Sequence, residues 1–475
     1  VRLSKDSQDS RRIRLKNLDE SKPGHKIYTR AFSGLFRNLR LCGGLVLFVS
    51  YFGTLWLNID GHQAVLWDLA ARQFYIFGSI FLPQDFPVLS GILLACTFGL
   101  FLITVLVGRV WCGYACPQSV FTWVFLRLEH WTEGDRNKRM RRDRGRINLD
   151  TAVRKLVKYL LWLFVSLAVA VTFVGYFVPV RRLVPDLIGL QVSGQVAFWI
   201  IAFTLATYAN AGWLREKVCI YMCPYARFQG VMFDKHTWTI HYNAARGEPR
   251  GSRKRVHTDH KEALGDCIDC ELCVQVCPTG IDIREGLQHE CIGCGACVDA
   301  CNSVMDKMGY DRQLVSYTTE SRLKGERSRL LRPRVLSYLL AFSVVVVALG
   351  WYLYQRPLLE LDVLRDRQSL YVRNAQGELE NVYLLRLINK SSRPRSITVS
   401  VTGIAGVRIE GQHQIQVGAG GVASMPVRLV VDPQELSGGR TAVVFHAHAD
   451  DAGSDGLRPL SASTENRFLS PERPL

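Results

Sequence analysis

The stretch "CIDCELCVQVCPTG" (Cys267–Gly280) is followed by a second, "CIGCGACVDACNS" (Cys291–Ser303), and both read C-x2-C-x2-C-x3-C. That spacing ligates [4Fe–4S] clusters, because a tight loop lets three thiolates close over one face of the cubane. The fourth cysteine of each run starts a helix and points at the neighbouring cluster. By that crossover Cys267, Cys270, Cys273 and Cys301 hold one cluster, and Cys291, Cys294, Cys297 and Cys277 hold the other. Zinc ribbons use two CxxC pairs rather than two four-cysteine runs. The second run ends Cys301-Asn302 in place of Cys-Pro. The proline only steers the chain away, so Asn302 leaves ligation intact and bears on hydrogen bonding near the sulfur. Residues 241–334 are therefore expected to form an α+β two-cluster ferredoxin-like domain.

This domain is inserted between apolar segments. The chain has 475 residues, 48% of them hydrophobic, which is too long for one ordinary domain. Five segments are apolar over about 20 residues, the length that crosses a bilayer: Leu39–Leu57, Pro87–Gly108, Tyr159–Val180, Val196–Trp213 and Val335–Tyr354. The fourth is interrupted by Thr204, Thr207 and Asn210. Residues 63–82 carry Asp68, Arg72 and Gln73 and read as an interfacial or re-entrant helix. The first apolar run is long for a signal h-region and is read as a retained span.

The net charge of +17 raises the question of nucleic acid. The excess, however, sits in runs beside apolar segments, the mark of the cytoplasmic face, and no nucleic-acid partner is expected. Arg11, Arg12, Arg14, Lys16, Lys22 and Lys26 precede the first span, "RNKRMRRDRGR" (Arg136–Arg146) follows the second, and "RGSRKR" (Arg250–Arg255) follows the fourth. The other loops hold only Arg72, then Arg181 and Arg182. The expected order is a basic cytoplasmic segment (1–38), a four-helix membrane domain (39–240), the cytoplasmic cluster domain (241–334), a fifth span (335–354) and a domain outside (355–475). Disulfides are not expected in a cytoplasmic cluster domain.

Two further thiol pairs sit at span ends: "RVWCGYACPQ" (Arg109–Gln118) and "KVCIYMCPYAR" (Lys217–Arg227), each Cys-x-x-x-Cys-Pro. In a helix, residues four apart share a face, so Cys112 and Cys116, and likewise Cys219 and Cys223, are expected side by side. A residue before proline leaves the α region, so the spans are expected to kink or end there. A helix C-terminus disfavours a bare thiolate, which Arg109, Arg215, Lys217 or a bound cation would offset. Paired thiolates are soft ligands that favour Cu(I). The four cysteines are thus the expected catalytic and metal-binding residues, set against the plainer reading of buried small side chains. Cys42 and Cys96, lone and mid-span, read as packing residues.

After the fifth span, "LENVYLLRLINKS" (Leu379–Ser391), "RSITVSVTGI" (Arg395–Ile404), "VASMPVRLVVD" (Val422–Asp432) and "TAVVFHAHAD" (Thr441–Asp450) alternate as strands. About seven short strands with turn residues between them suggest an immunoglobulin-like sandwich without cysteine. His413, His446 and His448 are a conceivable metal set, although solvated strand residues are the simpler reading.

Taken together, "LWDLAARQFYIFG" (Leu66–Gly78), "WCGYACPQSVFTW" (Trp111–Trp123), "CIYMCPYARFQ" (Cys219–Gln229), "RGEPRG" (Arg246–Gly251), both cluster runs and "LDVLRDRQSLYVR" (Leu361–Arg373) resemble the FixG/CcoG/RdxA family over nearly the whole chain. These are accessory proteins of cbb-type cytochrome c oxidases. The resemblance implies a bacterial inner-membrane iron–sulfur protein with two [4Fe–4S] clusters in the cytoplasm and a periplasmic sandwich. It also implies an oxidoreductase (cupric reductase) that turns Cu(II) into Cu(I) for oxidase assembly. Copper, oxidase subunits or copper chaperones, the lipid bilayer, an electron donor and a second copy of the chain are the implied partners. The Cys-x-x-x-Cys-Pro pairs are also similar to those of membrane ferredoxins serving periplasmic nitrate and nitrous oxide reductases. Two other readings stand beside it: a quinol-linked relay to a periplasmic acceptor, and a non-redox scaffold acting through the sandwich. No histidine lies within the five spans, which counts against a membrane haem but not against quinol binding.

Overall fold

The computed structural model describes residues 26–59, 61–146, 148–252, 264–366, 370–391, 393–436, 439–449 and 460–471. Most of the basic N-terminal run, and Arg253–Arg255 of the later one, lie outside these. Five helices are long and apolar enough to cross a membrane: Leu35–Trp56, Pro83–Val107, Leu149–Gly175, Gly194–Leu214 and Pro333–Gln355. They carry apolar side chains facing outward, among them Leu45, Leu93, Phe164 and Val347. A soluble protein would bury such a set, whereas a bilayer solvates it. Cys42 and Cys96 are not packing residues after all, since both lie on exposed faces of these helices.

Contacts group the chain into two compact units. One comprises Val1–Ser50, Thr97–Val171 and Gly194–Phe342; the other comprises Tyr51–Cys96, Thr172–Ser193 and Ser343–Leu475. In the first, strands Thr239–Tyr242 and Val315–Thr318 pair antiparallel. They pack with Ile281, Ile283 and Val298 around the cluster cysteines. Helix Ala296–Met308 carries Cys297 and Cys301 and ends at Gly309 in the left-handed conformation that a C-terminal cap requires. The stretch after the second span is no open loop. It forms a helix over Pro117–Glu133 and another over Arg136–Arg144. Glu129, fully buried on the first of these, meets Arg139 at 3.2 Å, Arg215 at 3.1 Å and Lys26 at 3.3 Å. Burial alone would push its carboxyl up, but Arg215, Lys26 and Arg139 hold it below the usual range. Part of the basic run is therefore interior structure rather than a solvated topology signal.

In the second unit the C-terminal strands form two packed antiparallel sheets. One orders Arg408–Glu410, Val422–Val431, Leu379–Asn389 and Leu359–Arg365, with Val372–Arg373 on the edge of the third; the other orders Gln414–Val417, Arg395–Thr402, Arg440–Ala449 and Ser461–Leu469. Nine strands are described where about seven were expected. Alternate residues of each strand point inward, so Tyr383, Leu385, Leu387, Val427, Leu429, Val443 and Phe445 make one core. His446 and His448 stack with ring centres 6.3 Å apart, and His446 Nε2 lies 2.9 Å from Thr402 Oγ1, which fits the simpler reading of these histidines.

Residues 63–82 are not a helix. They form a three-stranded meander, Val65–Asp68, Gln73–Ile76 and Ser79–Phe81. The β-branched and aromatic residues Val65, Trp67, Phe74 and Ile76 favour this; of the polar residues that looked like helix interruptions, Asp68 and Gln73 pair across the strand ends and Arg72 sits in the turn between them. The meander docks on the sandwich: Gln73 Nε2 donates to the Gly420 carbonyl at 2.9 Å, and a Cβ on Gly420 would lie 2.2 Å from Ile80. Beside it Asp85, nearly buried, takes ion pairs from Arg356 at 2.7 Å and Lys390 at 3.1 Å. Asp85→Asn would take the buried anion from Arg356 and leave Lys390 only Glu360, at 2.8 Å. A loss of about 3–5 kcal/mol is expected, read as a lower unfolding temperature of the purified protein.

Candidate functional site

The two cluster runs fold alike. Asp269 and Gly293, at matching places, both have positive φ (51° and 66°), as do Glu271 and Gly295 (53° and 73°). The left-handed turns bring the three spaced thiols to one side of each loop. The second run uses glycine where the first does not, for a steric reason. A Cβ at Gly295 would sit 2.4 Å from Phe36, and one at Gly293 would sit 3.3 Å from the Arg109 backbone. The second loop thus packs against neighbouring helix ends, while Asp269 is free to pair with Arg284.

Cys267, Cys270, Cys273 and Cys301 line one cavity, matching the crossover set. Burial, then the Cys277 and Cys294 thiols, push Cys291 up to about 12 against the opposing Gly293 backbone hydrogen bond, so these three thiols lie near one another. Cys273 is likewise pushed by burial to about 12, and Cys301 to about 11. Buried thiolates here need a compensating cation, and cluster iron supplies one; the residues fit two [4Fe–4S] clusters.

The Cys-x-x-x-Cys-Pro pairs do not sit on helix faces as expected. The second span ends at Val107, Gly108 turns with φ 61°, and Cys112 lies in a short helix, Val110–Tyr114. Cys116 is extended (φ −66°, ψ 125°) and caps the N-terminus of helix Pro117–Glu133. The second pair repeats this geometry: Cys219 lies in a wide turn over Val218–Met222, and Cys223 (φ −80°, ψ 112°) caps helix Pro224–Met232. In each motif the N–H of the second cysteine bonds the carbonyl five residues back: Cys116 to Trp111 at 2.8 Å, and Cys223 to Val218 at 2.9 Å. The proline both forces the extended conformation before it and starts the next helix. The dipole argument therefore reverses for Cys116 and Cys223. They stand at the positive ends of helices rather than at the negative ones.

The two motifs meet. Gln229, fully buried on the helix that follows Cys223, donates from Nε2 to Cys112 Sγ at 3.5 Å. Gln118, after Cys116, donates to the carbonyls of Asn210 (3.0 Å) and Arg215 (3.2 Å), where the fourth span unwinds into wide turns over Tyr208–Leu214. Burial pushes Cys112 up to about 11 and Cys219 up to about 12. The Cys116 and Cys223 thiols add to both shifts, and Cys112 adds to that of Cys219, so the four thiols lie within electrostatic reach of one another. Among the described residues, however, no three His, Cys, Asp or Glu side chains converge on a single ion. The cluster runs pass the same description, because a cubane spaces its thiolates at its corners. Arg109 does lower the Cys112 thiol, whereas Arg215 is committed to Glu129 and the Gly212 carbonyl.

The first motif also touches the second cluster run. Cys112 packs with Ile292 and Cys294, Tyr114 Oη donates to the Cys294 carbonyl at 3.2 Å, and a Cβ on Gly113 would lie 3.0 Å from Cys294 Cα. Arg109 donates to the carbonyls of Cys291, His289 and Ala226, tying the cluster loop to the helix after Cys223. Gln229, Gln118 and Gly113 escaped the sequence reading. Their only sequence signal is their position within one to six residues of a motif cysteine.

A family model described as a 4Fe-4S dicluster domain matches residues 214–320, and one described as a 4Fe-4S binding domain matches 89–133. A third, an IG-like fold at the C-terminal of FixG, matches 349–471. The chain is 37% identical over 426 residues to nitrogen fixation protein FixG of Rhizobium meliloti, covering 82% of this chain and 81% of that protein. It is 38% identical over 458 residues to protein RdxA of Cereibacter sphaeroides, covering 93% and 96%. The chain belongs to the FixG/RdxA family. Protein RdxB of Cereibacter sphaeroides is 39% identical over 393 residues, covering 80% of this chain and 82% of that protein. The crystal structure of a FixG-related protein from Vibrio parahaemolyticus aligns with 24% of this chain and 97% of its own, at 29% identity and a TM-score of 0.21. FixG/RdxA membership and the cluster-domain matches make this an iron–sulfur protein of the membrane.

Two outcomes test the site. Cys301→Ser should remove the signal of the Cys267 cluster and spare the other, read as iron per chain and by EPR of the reduced protein. Gly113→Val should force the short helix away from the Cys294 backbone, which cannot yield; a changed EPR line shape of the Cys291 cluster is expected at unchanged signal from the first.

Proposed function

We propose that this protein transfers electrons through its two clusters to the Cys112/Cys116/Cys219/Cys223 site, where Cu(II) is reduced to Cu(I) for assembly of a cbb-type oxidase. The observation that carries this is the packing of Cys112 and Gly113 directly on the Cys294 loop. A ligand of one redox centre in contact with the backbone of the other makes a short path for one electron. The clusters supply one-electron storage. The chain supplies the rest: Gln229 orients Cys112, and Cys116 and Cys223 stand at the positive ends of helices.

Cu(II) plus one electron gives Cu(I), the state that soft thiolates hold. Two thiolates suffice to hold Cu(I). We assign the Lys/Arg-rich segments and the clusters to the cytoplasmic side of a bacterial inner membrane, and the sandwich to the periplasm. Support comes from the two compact units: one holds the described basic segments and cluster runs, the other the sandwich with the Arg-poor loops. The five-part division at 38, 240, 334 and 354 follows from the same assignment. Oxidase subunits or copper chaperones are the proposed partners of the sandwich.

Cys112→Ser and Cys223→Ser should each lower Cu(II) reduction by dithionite-reduced protein by about tenfold or more, with iron content unchanged. The assay follows Cu(I) with a chromogenic chelator under anaerobic conditions. Undiminished reduction in both variants rules out the site.

A further inference from the structure

Arg40 carries a charge that neither cluster ligation nor the copper reading uses. It stands in the membrane-length helix Leu35–Trp56, yet only 7% of it is exposed. An arginine near the end of such a helix ordinarily extends its stem until the charge reaches water. Arg40 turns inward instead. We propose that its guanidinium is the counter-charge of the cluster held by Cys277, Cys291, Cys294 and Cys297, and that it raises the reduction potential of that cluster. This rests on the two-cluster reading and on no property of the copper site.

Three observations lead there. First, the helix presents Arg40 to the cluster loop. Phe36, Arg40 and Gly43, four and three residues apart, share one helix face. The residues on either side of Arg40 touch the loop or its support. A Cβ on Gly295 would lie 2.4 Å from Phe36, and one on Gly43 would lie 3.5 Å from the Tyr114 carbonyl. Tyr114 in turn donates its hydroxyl to the Cys294 carbonyl at 3.2 Å. Arg40 lies between these contacts, within electrostatic reach of Cys294 and Tyr114.

Second, the guanidinium has no carboxylate to pair with among the described residues. Its Nη2 donates to the Ser119 carbonyl at 3.2 Å, and its buried Nε has no hydrogen-bond partner. Asp299, on the same cluster helix, is spent on the N–H groups of Phe36 (3.3 Å) and Arg37 (2.9 Å). A buried cation without an anion is costly. A cubane with four thiolate ligands is negative in both of its working states and supplies that anion. Third, the arginines beside the other cluster are already neutralised. Arg284, near Cys273, pairs with Asp282 at 2.7 Å, and Arg246, near Cys301, pairs with Asp266 at 2.6 Å.

The effect on potential follows from charge. An added electron makes the cluster more negative, and a cation fixed in a low-dielectric interior favours that state over the oxidised one. Arginine stays protonated throughout, so no proton accompanies the electron. The electron is thereby favoured at the cluster whose loop Cys112 and Gly113 touch. Arg40 is a positioning residue: it sets where the electron rests and bonds to no reacting atom.

The test is an EPR-monitored redox titration of the full-length holoprotein in nanodiscs of phosphatidylethanolamine and phosphatidylglycerol, without oxygen or copper. Cys301→Ser, which removes the signal of the other cluster, identifies the signal of the Cys291 cluster. Arg40→Gln removes the charge and keeps an amide donor; Arg40→Lys keeps the charge. Arg40→Gln should lower the reduced-to-oxidised ratio of the Cys291 cluster at a fixed potential by about tenfold, a downward shift of about 59 mV for one electron. The other cluster and the iron content should stay at the wild-type level, and Arg40→Lys should restore most of the shift. No shift in Arg40→Gln, an equal shift of both clusters, or the same shift in Arg40→Lys would overturn the proposal. Should Arg40→Gln lose iron, Arg40→Met, apolar as a membrane-length helix tolerates, is titrated in its place with the same expectation. Loss of iron from both neutral variants but not from Arg40→Lys would show the charge holding the cluster; loss from all three would mark a structural role and overturn the proposal. Copper takes no part in this readout, so failure here and failure of the copper reading are separate results.

Discussion

Much of this molecule's redox reading hangs on one close approach of two backbones, at Gly113 and Cys294. With hydrogen the only substituent at Gly113, the short helix carrying Cys112 lies against the loop that carries three cluster ligands; any Cβ would stand 3.0 Å from the Cys294 Cα and from the Ile292 carbonyl. Electron transfer falls steeply with separation, so such a contact matters more than the chemistry of any one ligand. The same loop is gripped from two more sides. Phe36 lies over Gly295, and the Asp299 carboxylate accepts the Arg37 N–H at 2.9 Å and the Phe36 N–H at 3.3 Å, capping the first span. An anion at a helix N-terminus is favourable, and here it ties the cluster helix Ala296–Met308 to the start of a membrane-length helix.

Proline gives the two thiol motifs their shared shape. A cysteine before proline cannot continue a helix, and a proline at the first helical position starts one well. Each motif is therefore a hinge between two helical segments, with its second cysteine at a positive helix end. Gln229 and Gln118 then spend their amides across the gap, one on Cys112 Sγ and one on the unwound end of the fourth span. The wide turns over Tyr208–Leu214 supply the free carbonyls that Gln118 needs, a common use of locally widened helix.

Buried charge does a further share of the positioning. Glu129 has no exposed surface and faces three cations, and Lys158 meets the buried Glu133 at 2.7 Å. Such groups add little net stability against apolar replacements, but they tolerate only one arrangement of their partners. They fix the helix after Cys116 relative to Arg215, four residues before Cys219.

The sequence alone determined the two cluster-binding cysteine runs, the five membrane-length segments, the strand alternation of the C-terminal part and the family resemblance. Each of these is written in local spacing: thiol intervals set by a cubane, apolar length set by a bilayer, period-two burial set by a sheet. The meander at 63–82 was lost because its short strands carry the apolar content of a helix, and its polar breaks mark a turn only once the strands pair. That Cys116 and Cys223 cap helices was half visible in the prolines, yet the sense of the helix dipole depends on which helix the cysteine belongs to. Only the tertiary structure brought the two thiol motifs together, set Gly113 on Cys294, and buried Arg139 against Glu129. These depend on contacts between residues about 100 or more positions apart, or on a charge finding its partner inside, and no local spacing encodes either.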